Sequence, residues 1–239
     1  MSNIKGIIFD YGGTIDTNGI HWGEFIWNEY RKAGIAVTRE AFREAYVHGE
    51  RSLAKAPIIE STDTFHILLK KKMALQFGYL KENNPCDCIT PKNAEIIADN
   101  CYRSVKETID TTRGIVERLA RKFPMVLVTN FYGNMPVVLE EFGLDNIFEC
   151  IVESSVVGLR KPDPKLFAMG VNALQMQPEE VVVIGDSYSK DIYPSSTLGC
   201  PTVWLKNICW KDEAIDPEHR PTATIESLLE LPGIIENMI

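Results

Sequence analysis

A small set of polar side chains stands where apolar runs stop. Ile4-Lys-Gly-Ile-Ile-Phe-Asp10-Tyr11-Gly12-Gly13-Thr14 ends a short apolar stretch in a carboxylate, and glycines follow at once. Thr129-Asn130 closes a second run, and Gly185-Asp186 closes a third, with Asp191 shortly after. Lys161 lies in the loop sequence Gly158-Leu-Arg-Lys-Pro-Asp-Pro164. Each has an ordinary structural reading: an Asp after a strand is commonly a turn residue or cap, and Thr-Asn is a common turn. Lys-Pro-Asp-Pro is a good helix start, and Asp191 suits a helix N-terminus. Together they offer one crevice a carboxylate, a hydroxyl, an amide, a cation and a further carboxylate pair. That set suits chemistry on a small anion. Many sites with an Asp in the place of Asp10 put a second Asp two residues on, but here that position is Gly12.

The elements that must bring these groups together are legible from periodicity. Ile4 to Phe9 reads as a buried parallel strand. From 19 to 109 the rhythm is helical. Trp22, Ile26, Tyr30 and Ala33 share one face, and Phe42, Ala45, Tyr46, Gly49 and Leu53 another behind the cap Thr38. Phe65, Leu68, Leu69, Met73 and Phe77 mark a third helix. Thr90-Pro91 opens a fourth with Ala94, Ile97, Ala98, Cys101 and Val105 inward. Ile115, Val116 and Leu119 then read as a separate short helix. Beyond it strands alternate with helices: 125–128, 148–152, 181–184, 202–205 and 223–225 as strands, and a tail helix over 225–231. Such alternation predicts an α/β fold, a doubly wound parallel sheet with a Rossmann-like core. In that architecture ligands bind beyond the carboxyl ends of the strands, where Asp10, Thr129, Asn130 and Asp186 fall. The expected division is a core of 1–18 and 110–239 with a helical domain of 19–109 inserted after the first strand.

Composition narrows the function. The chain has 239 residues, 45% of them hydrophobic, and a net charge of −8, which favours a packed core and argues against nucleic acid or an anionic membrane as main partner. No apolar run approaches the roughly 20 residues of a membrane span, and the first apolar run stops at Asp10, unlike a signal peptide. Six cysteines are scattered, with Cys86 and Cys88 the one close pair. These features suggest reduced thiols in a cytoplasmic protein. Oligomeric state is not readable.

The motifs resemble those of the haloacid dehalogenase-like hydrolase superfamily: Asp10-Tyr-Gly-Gly-Thr14 as the first, Thr129-Asn130 as the second, Lys161 in Arg-Lys-Pro as the third, and Gly185-Asp-Ser-Tyr-Ser-Lys-Asp191 as the fourth. The helical block is similar to the family's inserted cap of the first type. The resemblance implies a Mg²⁺-dependent phosphatase acting on a small phosphorylated metabolite. Asp10 would be the nucleophile that forms an aspartyl-phosphate. Asp10, the carbonyl of Gly12, Asp186 and Asp191 would serve the metal. Lys161 would neutralise nucleophile and phosphate. Thr129, Asn130 and the backbone from Tyr11 through Gly13 to Thr14 would hold the phosphate.

Gly12 departs from the pattern. In the family an Asp here supplies general acid–base help, worth about 10²–10⁴-fold; glycine retains only the carbonyl. The alternatives implied are a phosphonatase-like or haloacid dehalogenase-like hydrolase, or a weakly catalytic phosphate-binding regulator. His21, Glu24 and His48 are the candidates for a replacement acid from the cap. Lys55 is the candidate for a phosphonatase-type lysine, whereas Lys70, Lys71 and Lys72 read as a solvated helix face.

Overall fold

The computed structural model describes residues 4–238. Its centre is a six-stranded parallel sheet in the order β3-β2-β1-β4-β5-β6. The strands are β1 (Gly6–Phe9), β2 (Met125–Thr129), β3 (Cys150–Glu153), β4 (Val181–Gly185), β5 (Thr202–Leu205) and β6 (Ala223–Ile225). β1, β2 and β4 are buried along their whole length, which is why they read as unbroken apolar runs. Alternate side chains feed two cores. Ile7, Phe9, Leu127 and Ile184 face one; Ile8, Val126, Val128 and Val183 face the other, with Leu166 and Phe167. Each buried side chain of this size contributes roughly 1.5–3 kcal/mol. Strand order reverses direction between β1 and β4, and ligand crevices open at such a reversal. The register sets Phe9 beside Leu127 on one flank and Ile184 on the other. The residues after these strand ends therefore share one edge.

Nine α-helices are described: α1 (Trp22–Lys32), α2 (Arg39–Lys55), α3 (Phe65–Asn83), α4 (Pro91–Ala120), α5 (Met135–Glu141), α6 (Ser154–Val157), α7 (Pro164–Ala173), α8 (Tyr193–Ser196) and α9 (Leu231–Glu236). The first four follow β1 as a helical insertion. Thr38, Thr64 and Thr90 cap α2, α3 and α4 with their hydroxyls. α4 runs unbroken for 30 residues, joining what sequence periodicity divides into two helices. Its buried positions continue through Ile109 and Thr112 to Val116 and Leu119; no proline interrupts them, and the Thr111 and Thr112 hydroxyls donate to the carbonyls of Glu107 and Thr108 one turn back. The tail helix starts later than expected, because Ser227 caps a 3₁₀ turn, Leu228–Glu230, ahead of it. Tyr188–Ile192 is a π-helical turn instead of the start of an α-helix.

Cys86 and Cys88 are disulfide-bonded, where reduced thiols were expected; the turn between α3 and α4 brings their Cα atoms to 5.3 Å. Among the described residues no helix is long and apolar enough to cross a membrane.

Candidate active site

Asp10 extends β1 by one residue. Its N–H donates to the Ile184 carbonyl of β4 at 2.9 Å, which fixes the carboxylate at the reversal of the sheet. Both its oxygens are engaged: the Lys161 ammonium donates to Oδ1 at 2.5 Å and the Thr14 hydroxyl to Oδ2 at 3.0 Å. Lys161 reaches across from the loop before α7. Asn130 holds that loop, accepting from the Lys161 N–H at 2.9 Å and donating to its carbonyl at 3.2 Å. Asn130 is thus placed to position the lysine, and Thr129 beside it is buried and lines the cavity. Lys161 also donates to Asp191 Oδ1 at 2.7 Å, and the other Asp191 oxygen accepts from the Ser187 N–H at 3.1 Å. The ammonium is therefore a bridge between two carboxylates.

Asp186 completes the group. One oxygen from each of Asp10, Asp186 and Asp191 lies within 4.8 Å of the others. Lys161 is their buried cation, so the cluster retains excess negative charge. Burial dominates and lifts Asp10 to about 6, against the lowering pull of Lys161. Burial, with the charges of Asp191 and Asp10, raises Asp186 well above the carboxylate range. Carboxylate oxygens converging with uncompensated charge fit a hard divalent cation. The close approach of Asp186 to the first motif requires Gly13. That residue has φ +98°, and a Cβ on it would overlap the Asp186 carboxylate.

Gly12 has no such restriction. Its φ lies outside the left-handed region, and the nearest atom to an added Cβ would be Trp22 Nε1 at 3.9 Å. The indole of α1 stands over this position. Its N–H donates to Asp16 Oδ2 at 2.9 Å, and the Gly13 N–H donates to Asp16 Oδ1 at 2.7 Å. Asp16 is fully buried at the edge of the cavity, and burial lifts it to about 7. It fastens the loop after β1 to the first helix of the insertion.

A cavity of about 120 Å³ lies between the strand ends and the helical insertion. Asp10, Gly12, Thr129, Asn130, Lys161, Asp186 and Asp191 line its floor; Trp22, Glu50, Lys72 and Tyr132 are among the residues above. Tyr11 and Thr14 are buried behind the floor. The Tyr11 ring packs edge-on against Phe65 and Phe131, and the Gly13 N–H is taken by Asp16.

The candidate replacement acids fare unequally. His21 lines the cavity, but its Nδ1 accepts from the Gly23 N–H at 3.0 Å and burial lowers it to about 4. Glu24 pairs with Arg39, away from the cavity. His48 and Lys55 line an outer groove, separate from this cavity. Lys72 departs from its expected solvated face: it is 5% exposed and turned into the cavity. It lies four residues after Leu68, and so does Glu50 after Tyr46. Helical spacing alone therefore signals both. Asp16 and Tyr132 also line the cavity without having been singled out by sequence, as do Trp22, read only as part of a helix face, and Lys190, quoted only within the fourth motif.

Comparisons with known proteins identify the family and the fold. The haloacid dehalogenase-like hydrolase family model matches residues 4–193, and a HAD-hydrolase-like model matches 158–231. Haloacid dehalogenase-like hydrolase domain-containing protein 3 of Danio rerio is 31% identical over 98% of this chain and 97% of its own. A glyceraldehyde 3-phosphate phosphatase of Pyrococcus furiosus is 36% identical over 39% of this chain and 38% of its own length. A phosphoserine phosphatase of Thermus thermophilus is 31% identical over 49% and 46% respectively. The chain thus matches less than half the length of these two phosphatases. The magnesium-bound HAD-hydrolase YfnB of Bacillus subtilis shares the fold, with TM-score 0.57 and 20% identity over 98% of this chain and 99% of its own. Motif order, sheet order and a family match over most of the sequence converge: the chain belongs to the haloacid dehalogenase-like hydrolases.

Proposed function

We propose that the protein is a Mg²⁺-dependent phosphomonoesterase that transfers the phosphoryl group of a small substrate to Asp10 and then to water. The observation that carries this reading is the Lys161 ammonium 2.5 Å from Asp10 Oδ1, on the floor of a small cavity beside Asp186 and Asp191. Asp10, the Gly12 carbonyl and Asp186 would hold the ion, with Asp191 as ligand or as acceptor for bound water. When bound, Mg²⁺ supplies charge neutralisation at the phosphate. Lys161 and Thr129 orient the phosphate oxygens. An Asp10 oxygen attacks phosphorus, and the bond from phosphorus to the leaving oxygen breaks. Water then cleaves the aspartyl-phosphate and regenerates the carboxylate. The helices of 19–109 act as a cap that excludes bulk water from the first transfer. Names of relatives such as glyceraldehyde 3-phosphate phosphatase and phosphoserine phosphatase support a three-carbon phosphorylated substrate. The substrate is a small metabolite, and the free thiols of Cys101, Cys150, Cys200 and Cys209 support the cytoplasm as the setting.

With Gly12 in place of an acid, the leaving group departs with little protonation. Activated acyl and aryl phosphates should therefore outrun alkyl phosphates. Rapid-quench mass spectrometry during turnover of acetyl phosphate tests the reading: phosphate should appear on Asp10, and Asp10→Asn should lose both label and turnover. Undiminished phosphate release by folded Asp10→Asn would overturn it.

A further inference from the structure

The upper wall of the cavity carries a partly buried ion pair that the proposed transfer does not use. Lys72 Nζ of α3 lies 2.8 Å from Glu50 Oε1 of α2. The Tyr132 hydroxyl, from the loop after β2, donates to Glu50 Oε2 at 3.0 Å. The ammonium also lies over the rings of Trp22 and Tyr132, at 5.4 and 5.7 Å. Both partners are charged: Lys72 and Tyr132 lower Glu50 against its burial, and Glu50 raises Lys72 against its own.

Such a pair is a poor device for stability. Desolvation of two ions cancels most of their attraction, and apolar side chains of like volume commonly do as well. This pair is also incompletely satisfied. Glu50 Oε1 is buried without a well-directed hydrogen bond; the ammonium is close enough for Coulomb attraction but off the hydrogen-bonding direction. An ammonium has three donors, so Lys72 retains capacity as well. An acceptor short of one directed bond and an ammonium with donors to spare thus stand side by side in the wall above the proposed phosphate-binding floor. The cavity, about 120 Å³, is small beside the roughly 300–1,000 Å³ of ligand pockets in general, which limits the group between them to a few atoms.

We infer that Glu50 and Lys72 determine specificity by reading a short leaving group that bears a hydrogen-bond donor and an oxygen acceptor on neighbouring carbons, an α-hydroxy or α-amino carbonyl compound phosphorylated at its far end. The donor goes to the Glu50 carboxylate, whose side chain is 29% exposed, and the acceptor to Lys72 Nζ. Tyr132 holds Glu50 in place and is a positioning residue. The inference rests on the phosphate-binding floor proposed above, and it deepens that reading.

Non-cleavable phosphonates test it by calorimetric titration in Mg²⁺. The probes are 2-amino-4-phosphonobutyrate, with donor and acceptor; 3-aminopropylphosphonate, with the donor; 4-phosphonobutyrate, with the acceptor; and butylphosphonate, with neither. The first should bind roughly 10- to 100-fold tighter than butylphosphonate, the range for a hydrogen bond to a charged group. Lys72→Met should remove the advantage of the acceptor, and Glu50→Gln that of the donor, each read as the ratio of a probe's affinity to that of butylphosphonate in the same protein. Circular dichroism establishes that each variant is folded, and Tyr132→Phe, which leaves both charges in place, should weaken only the donor-bearing probes. Equal affinity for all four probes in the wild type, no binding of any, or an unchanged ranking in folded Lys72→Met and Glu50→Gln would overturn the inference. Because phosphonates are not cleaved, a protein that keeps the expected ranking but releases no phosphate from any ester would sink the phosphatase reading alone.

Discussion

Gly12→Asp puts a carboxyl where the family keeps its acid–base group. The backbone accepts it: φ lies outside the left-handed region, and the closest approach of the new Cβ is 3.9 Å, to Trp22 Nε1. Replacing glycine at a compatible site also removes unfolded-state entropy, a gain of about 0.4–1 kcal/mol. The Gly12 carbonyl is unchanged, so the metal donor set persists. Asp10 and Asp16 stand near, and their charges favour the protonated form of the newcomer, which is the form a general acid needs. Against this, the Trp22 N–H already donates to Asp16 at 2.9 Å and draws the new carboxyl toward the indole. A well-placed acid contributes about 10²–10⁴-fold. With that competition the expected gain in kcat for glycerol phosphate is roughly 10- to 10³-fold. Acetyl phosphate, whose leaving group needs little protonation, should change by less than about threefold. The assay is phosphate release from both compounds by folded protein in Mg²⁺. An unchanged ratio of the two rates would refute the argument that proton delivery at position 12 limits alkyl phosphates.

Lys161→Met leaves Asp10 and Asp191 buried without their shared cation. Breaking a buried pair from one side costs about 3–5 kcal/mol, or roughly 6–20 °C in Tm for a chain of this size, and Mg²⁺ should restore part of it; scanning calorimetry with and without the ion would detect the loss, and an unaltered Tm would contradict the charge balance drawn here. Asp16 sets a pH dependence of opposite sign to that of an ordinary salt-bridged carboxylate. Its folded pKa of about 7 lies above the ordinary 3.8, so the folded state holds a proton that the unfolded chain releases. Its contribution is complete below about pH 4 and is lost as pH rises to about 7. Asp16→Asn should therefore flatten the fall in Tm between pH 4 and 7 relative to wild type, and parallel curves would refute the assignment.

Strand ends were the most legible part of the sequence. Runs such as Val181–Ile184 are apolar on both faces because helices cover both sides, and a residue that ends such a run has one edge to go to. Asp10, Thr129 and Asp186 can therefore be placed together from the sequence alone. Four kinds of feature escaped. The continuity of α4 is hidden because Thr111, Thr112 and Gly114 weaken the helical pattern where the helix has tertiary support. Lys72 and Glu50 were masked by their charge, although each repeats the spacing of its apolar neighbours. Trp22 over Gly12 depends on the angle at which α1 leaves the sheet, and no local spacing encodes an angle. The Cys86–Cys88 bond is a fourth case: one intervening residue suggests no metal site, and it does not reveal a turn that brings the sulfurs together.

The length of α4 has a mechanical consequence. At 30 residues and about 1.5 Å per residue it is a rod of roughly 45 Å. One end is packed by α1 and α3 of the insertion, and the other by the 3₁₀ turn at Leu228 and by α9. The insertion has two covalent links to the rest of the chain; one is this rod, the other the short stretch from Thr17 to His21. Swinging of the upper layer must then be accommodated by flexing at that stretch and by torsion along the rod, which restricts it to a single axis and a small arc. The same rod makes melting cooperative, since neither layer can lose its order without stripping the packing from half of a helix that the other depends on.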